Sequence, residues 1–168
     1  MPILRTSVVL SLIAWCVGCD QGTKRLAVQN LKDHNPVHLL NGRVQFLYAE
    51  NTGAWGSLGA NWPAALKVGV FVLLPLGVLG ALVIYTLRDQ ALRPVHWVAY
   101  SLIVGGGLGN IIDRIADGYV VDFMYVHVGR LGTNIFNVAD VAVMAGLILL
   151  VLERIVHRAP SPPSPVSG

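Results

Sequence analysis

Residues 65–87 read ALKVGVFVLLPLGVLGALVIYTL, with one lysine at the start and nothing else ionisable until Arg88. An α-helix needs about 20 apolar residues to cross the hydrocarbon core of a bilayer, so this segment makes lipid part of the solvent in which the chain folds. Pro75 would break such a helix in water, whereas a span tolerates it as a kink when neighbours re-satisfy the freed carbonyl. Three further segments, 7–29, 95–115 and 135–156, are apolar but interrupted by polar residues. The pattern predicts an all-α membrane protein of four transmembrane helices in a single domain, residues 1–158. A Pro/Ser-rich tail, 159–168, has nothing to bury and no period, and reads as disordered. Composition agrees, because only 12% of the 168 residues are charged against about 25% in a soluble domain.

Four spans place both termini on one side together with the connection 88–94, and leave the connections 30–64 and 116–134 opposite. Lysine and arginine divide five to the terminal side and seven to the other, but the acids divide two and seven, so the whole net charge of +3 lies with the termini. The orientation rule counts basic residues and gives acids little weight; charge alone does not orient the chain. No stretch gathers more than two adjacent basic residues, which sets nucleic acid aside as a partner. In the long connection, Val37-His38-Leu39-Leu40 and Val44-Gln45-Phe46-Leu47-Tyr48 flank Asn41-Gly42, a strong hairpin signal. A small sheet on the membrane surface is therefore expected. Beyond it, Gly53, Gly56 and Gly59 with Trp55 and Trp62 read as a bendable cover whose rings settle at headgroup level.

An aspartate at the centre of a span costs on the order of 2.5–3.5 kcal/mol on insertion scales, so each such carboxylate needs a reason. Asp20, Asp113, Asp122 and Asp140 all fall toward the side opposite the termini. Asn110 precedes Asp113 at the close of the third span, and Asn137 precedes Asp140 at the opening of the fourth, each by the three residues that share a helix face. Between them Gly118-Tyr119-Val120-Val121-Asp122-Phe123 is β-branched and aromatic and predicts a short extended piece ending at Asp122. Asp122 and Asp140 then converge without either crossing the bilayer. Two carboxylates close together in a low dielectric share a proton, and such a pair can activate water and protonate a leaving amine. That is peptide hydrolysis without metal or nucleophilic side chain. The competing reading makes the same residues helix caps and interhelical hydrogen bonds, and spacing does not separate the two. Asp113 beside Arg114 reads as a salt-bridged support, and Asp20 and Lys24, one turn apart, can pair.

Other signals are weaker. Gly105-Gly106-Gly107-Leu108-Gly109 has no following Lys-Ser/Thr and no preceding strand, so it reads as close helix packing rather than a phosphate loop. Cys16 and Cys19 have redox-motif spacing but lie in an apolar helix without a second pair. The five histidines show no H-E-x-x-H pattern and no clustering, which argues against a metalloprotease. Cys19 as the lipid-accepting cysteine of a cleaved secretory signal fits poorly, since three more spans follow.

Taken together, these blocks resemble lipoprotein signal peptidase, or signal peptidase II, the bacterial membrane aspartic peptidase family. The resemblance rests on Asp20-x-x-x-Lys24, Asn51-Thr52-Gly53-Ala54, Gly106-x-x-Gly109-Asn110-x-x-Asp113-Arg114, Gly118-x-Val120-Val121-Asp122-Phe123 and Phe136-Asn137-x-Ala139-Asp140, and covers about nine tenths of the chain. It implies four helices, cytoplasmic termini in the inner membrane, a small periplasmic β-cradle from the long connection, and a monomer working without cofactor. Asp122 and Asp140 would be the catalytic dyad. Asn110, Arg114 and Asn137 would surround it, with Asp20, Asn51 and Asp113 as further supporting positions. The implied partners are membrane lipid, prolipoproteins carrying a diacylglyceryl cysteine and cut just before it, and globomycin-type inhibitors. Three departures stand out: Trp55 follows Ala54 directly, Val141 follows Asp140 where serine is common, and 130–134 lack the Trp and Pro often found there. The rival readings are a catalytically impaired homologue that binds lipopeptide or antibiotic, and a small ion-coupled transporter. A transporter would place acids near the midplane and relate its halves by symmetry, and neither pattern is present.

Overall fold

A computed structural model of the chain describes residues 2–54 and 58–157. Trp55, Gly56 and the tail 159–168 lie outside the described residues. Helix α1 spans Pro2–Leu31, and the long apolar segment forms α2 (Ala64–Val68), a π-helical turn (Gly69–Leu73) and α3 (Leu74–Arg88) in one continuous rod. The π turn sits immediately before Pro75. Proline has no N–H to give the carbonyl four residues back, and the ladder widens there, with Leu74 N donating to Gly69 O. Helix α4 (Pro94–Ala116) starts on a proline, whose missing N–H would be unpaired there in any case, and α5 covers Val138–His157. Among the described residues, three helices are long and apolar enough to cross a membrane: Ile3–Leu31, Ala64–Arg88 and Pro94–Ala116. Helix α5 has 20 residues and is apolar between Asp140 in its first turn and Glu153 and Arg154 toward its end.

The glycine run of α4 makes this helix the hub. A side chain at Gly105 would collide with Cys16 of α1, at Gly106 with the Ala139 carbonyl of α5, at Gly107 with Leu79 of α3, and at Gly109 with the Asp20 carboxylate. The expected close packing is therefore present, distributed over three neighbours. Cys16 and Cys19 are free thiols. Among the described residues, four buried aliphatics, Val72, Leu79, Val104 and Ile111, cluster into a thin core. Large apolar side chains such as Trp15, Leu74, Val78, Ile115 and Val151 point outward, as expected where lipid is the solvent.

The sheet has four antiparallel strands in the order β1 (Val37–Leu39), β2 (Val44–Asn51), β3 (Val120–Val128) and β4 (Leu131–Gly132). Asn41 and Gly42 both take positive φ, 55° and 83°, in the β1–β2 turn, as the hairpin signal requires. Two expectations are corrected. The sheet is not built from the long connection alone, and β3 does not stop at Asp122 but continues to Val128, with Asp122 as its third residue. The cause is pairing with β2, a partner about 70 residues away in sequence that local patterning cannot reveal. The register sets Asn51 opposite Val120 and Ala49 opposite Asp122. Asn51 and Asp122 thus become diagonal neighbours on one face.

Candidate active site

All four carboxylates singled out from the sequence meet where the C-terminal ends of α1 and α4 and the N-terminal end of α5 adjoin the sheet. Asp20 is fully buried. Its Oδ1 accepts the Ala139 N–H at 2.9 Å, one of the donors that the first turn of a helix leaves without an internal partner. Its Oδ2 meets Lys24 Nζ at 2.7 Å, the pairing expected one turn apart. The same ammonium reaches Asp113 Oδ2 at 2.8 Å and Asn110 Oδ1 at 2.9 Å. Asp113 also accepts Gln21 Nε2 at 2.7 Å and the Val121 N–H at 3.3 Å. One buried cation therefore serves two carboxylates, and neutral donors fill their remaining acceptor sites, which is what makes buried charge tolerable.

The arrangement passes to the dyad through two amides. An ammonium can only donate, so Lys24 holds the oxygen end of Asn110 and directs its Nδ2 to Asp140 Oδ1, 2.9 Å away. Asn137, also fully buried, gives its Nδ2 to Asn110 Oδ1 at 3.1 Å and to Asp122 Oδ1 at 2.7 Å. Its N–H donates to Asp140 Oδ2 at 3.1 Å, while its Oδ1 accepts the Asp140 N–H at 3.0 Å. That reciprocal pair is a capping box in form, so the cap and the convergent carboxylate are one residue doing both jobs. Asp122 receives Asn51 Nδ2 at 3.1 Å on its other oxygen, and Asn51 Oδ1 in turn accepts the Gly53 N–H. Burial pushes the Asp122 carboxyl up to about 6; the Asn51 and Asn137 hydrogen bonds and the Lys24 charge oppose this, and the Asp140 charge adds to it.

Arg114 departs from expectation. The structure gives Asp113 an ion pair with Lys24, not with Arg114, because consecutive helix residues point about 100° apart. The Arg114 guanidinium instead donates to Gly53 O at 2.8 Å and Asn110 O at 3.2 Å and lies over the Phe71 ring, 5.7 Å from its centre. Phe71 stacks on Trp62 at 5.6 Å, which pins the downstream end of the segment read as a cover. Lys24, which spacing pairs with Asp20 alone, belongs to the site, and so does Gln21, to which the sequence reading gives no role. The signal was available in the three-residue step from Gln21 to Lys24, which puts both on one face of α1.

Asp122, Asp140, Asn51, Asn110 and Arg114 line a cavity of about 700 Å³ whose other wall is the apolar face of α5, Val141, Met144 and Ile148. A second cavity of about 360 Å³ shares Asn51, Asp122 and Ile135 and runs along the sheet to Glu50 and Tyr125. Among the described residues no group of three or more His, Cys, Asp or Glu side chains is placed to hold a metal ion. His96 and His157, scattered in sequence, do meet at Glu153, at 3.6 and 3.9 Å, but at the far end of the bundle.

The family model described as signal peptidase (SPase) II matches residues 12–156. A lipoprotein signal peptidase of Thermodesulfovibrio yellowstonii is 38% identical over 156 residues, covering 92% of this chain and 97% of its own length. Those of Xylella fastidiosa (strain M12) and Chlorobium luteolum are 34% identical over 149 and 39% over 153 residues, covering 89% and 84% of this chain and 89% and 87% of their own. Two solved structures, each described as a bacterial membrane enzyme, superpose with TM-scores of 0.80 and 0.77 at 26% and 28% identity. They cover 96% and 89% of this chain and 95% and 93% of their own.

Proposed function

Because the chain belongs to the signal peptidase II family, we propose that it is a membrane aspartic endopeptidase. In this reading it removes signal peptides from diacylglyceryl-modified prolipoproteins, cutting before the lipidated cysteine. The observation that carries the reading is the joint exposure of Asp122 and Asp140 to one cavity with a polar floor and an apolar wall. A substrate with a lipid-embedded half and a soluble half needs both surfaces.

In the proposed reaction Asp122, whose carboxyl is pushed up to about 6, holds the shared proton and Asp140 is the ionised partner. Asp140 takes a proton from a water whose oxygen attacks the scissile carbonyl carbon, while Asp122 protonates the carbonyl oxygen. The resulting diol collapses as the C–N bond breaks: Asp122 takes back one hydroxyl proton as the C=O bond re-forms, and the proton on Asp140 goes to the leaving nitrogen. Asn51, Asn110 and Asn137 keep both carboxylates aimed. Asp20, Lys24 and Asp113 support those amides, and Arg114 ties α4 to the Gly53 carbonyl.

The topology proposed has α5 as a fourth span, both termini in the cytoplasm, and the sheet and dyad at the periplasmic face of the inner membrane. Supporting it, Arg5 of α1, the Asp89 carbonyl, and the Arg93–Glu153 pair gather at the opposite end from the sheet. The partners proposed are prolipoproteins, surrounding lipid and globomycin-type peptides, with the enzyme working as a monomer. Purified protein in lipid, incubated with a diacylglyceryl-cysteine prolipoprotein peptide, should release the signal peptide, and globomycin should stop the release. A protein that binds the peptide without cutting it would be the impaired homologue instead.

A further inference from the structure

Arg114 borders the cavity that holds Asp122 and Asp140, yet its hydrogen bonds alone do not fix it. Nη1 donates to Asn110 O and Nη2 to Gly53 O, while Nε is buried and has no hydrogen-bond partner among the described residues. Bonds from the far end of the fork leave the guanidinium plane free to hinge about them. The Phe71 ring closes that freedom. Its centre lies 5.7 Å from Arg114 Cζ, within reach of the attraction between a cation and the negative face of an aromatic ring. The ring is itself held in place. Trp62 stacks on it with 3° between the planes and 5.6 Å between centres. Its edge lies against Gly59, where a Cβ would come within 2.7 Å of Phe71 Cζ and where φ is +77°, so space and backbone both require glycine there.

A departure from regular helix aims this ring. Phe71 is the middle residue of the π turn Gly69–Leu73, closed by the bond from Leu74 N to Gly69 O, and single widened turns of this kind recur at functional sites. From Arg114 the connection runs on to the dyad. Gly53 O accepts Arg114 Nη2, the Gly53 N–H donates to Asn51 Oδ1, and Asn51 Nδ2 donates to Asp122 Oδ2. Phe71 itself does not border the cavity. Resting on the proposed peptidase reading, we infer that Phe71 is a positioning residue for cleavage: its ring face holds the Arg114 guanidinium, so that Gly53 and Asn51 keep Asp122 aimed.

The test measures kcat and KM in lipid on a diacylglyceryl-cysteine prolipoprotein peptide. Phe71→Leu, which keeps an apolar side chain and loses the ring, should lower kcat roughly tenfold, the scale of a desolvated cation–π contact. KM should stay within about twofold of wild type, because the lost contact does not touch substrate. A phenylalanine fluorinated at both meta positions of residue 71 has nearly the same shape and a weaker ring face, and its kcat should fall between the two. It carries the test alone if Phe71→Leu does not fold. In an Arg114→Gln background no cation remains over the ring, so adding Phe71→Leu should cost less than about twofold. Wild-type kcat in the fluorinated protein, a loss carried by KM alone, or an undiminished effect of Phe71→Leu beside Arg114→Gln overturns the inference and leaves the peptidase reading intact. A wild-type protein that does not cut the peptide overturns the peptidase reading, and the positioning role falls with it.

Discussion

The two ends of the helix bundle each collect charged residues, and they solve the problem of doing so in opposite ways. At the sheet end Lys24, Asp20 and Asp113 are buried, and every oxygen of the two carboxylates has a donor within 3.3 Å. At the other end Glu153 is met by Arg93 at 3.0 Å and, more loosely, by His96 and His157, with Arg93 and His157 themselves half exposed and in contact with each other. Buried charge is held only by a fixed set of partners, whereas exposed charge relies on water and moves freely. The sheet end is therefore built to fix geometry. At the far end only the outer partners are wet: Arg93 and His157 are half exposed, while Glu153 and His96 are mostly covered.

The sharpest way to break the contrast is at the carboxylates the sheet end positions. Asp122→Asn and Asp140→Asn should each lower cleavage by at least about a thousandfold, the scale of a lost general acid or base, while the protein still inserts and folds. Each amide keeps an oxygen for one of the two donors it faces, so the stability cost stays near 1 kcal/mol. Turnover by either variant within tenfold of wild type, in a peptide-release assay, would remove that residue from the dyad.

Next in size is Lys24→Met, which keeps the length of the side chain and removes its charge. It leaves Asp20 and Asp113 buried without their cation and frees Asn110 to turn its amide. Breaking a buried pair costs about 3–5 kcal/mol, so thermal unfolding in detergent should shift down sharply, and the surviving folded fraction should cut slowly because Asp140 has lost its oriented donor. A midpoint within a degree or two of wild type would show that the interior charges are not coupled as the distances indicate.

This contrast also marks what was legible in the sequence. Asp20 and Lys24 pair as their one-turn spacing says, and Asn137 with Asp140 forms a capping box because a helix start demands one; both follow from local geometry. Adjacency in sequence suggests Arg114 as the partner of Asp113, but neighbours in sequence are not neighbours on a helix, and Lys24 takes that place. Local patterning ends β3 at Asp122, because its partner β2 lies on the far side of two helices in sequence.

A smaller effect tests the electrostatics of the dyad. The Asn51 hydrogen bond lowers the Asp122 carboxyl against the rise that burial imposes. If Asp122 must be protonated to act, kcat/KM falls as pH rises through about 6, and Asn51→Ala moves that fall to higher pH by roughly one unit at most. A fall that stays in place, or moves to lower pH, would assign the proton to another group.

The smallest effect belongs to the far end and completes the comparison. Glu153→Gln removes the negative charge shared by Arg93, His96 and His157 and keeps one accepting oxygen, which by count of partners resembles the loss of Lys24. The partners differ in what they lose. Arg93 and His157 are about half exposed and regain water at once, so the cost should be at most about 1 kcal/mol, with cleavage unchanged because the dyad sits at the other end of α5. Measured beside Lys24→Met in the same detergent, Glu153→Gln should move the unfolding midpoint by a small fraction as much. Equal shifts would mean that the bundle transmits strain along α5, and the division between a geometric end and a solvated end would not hold.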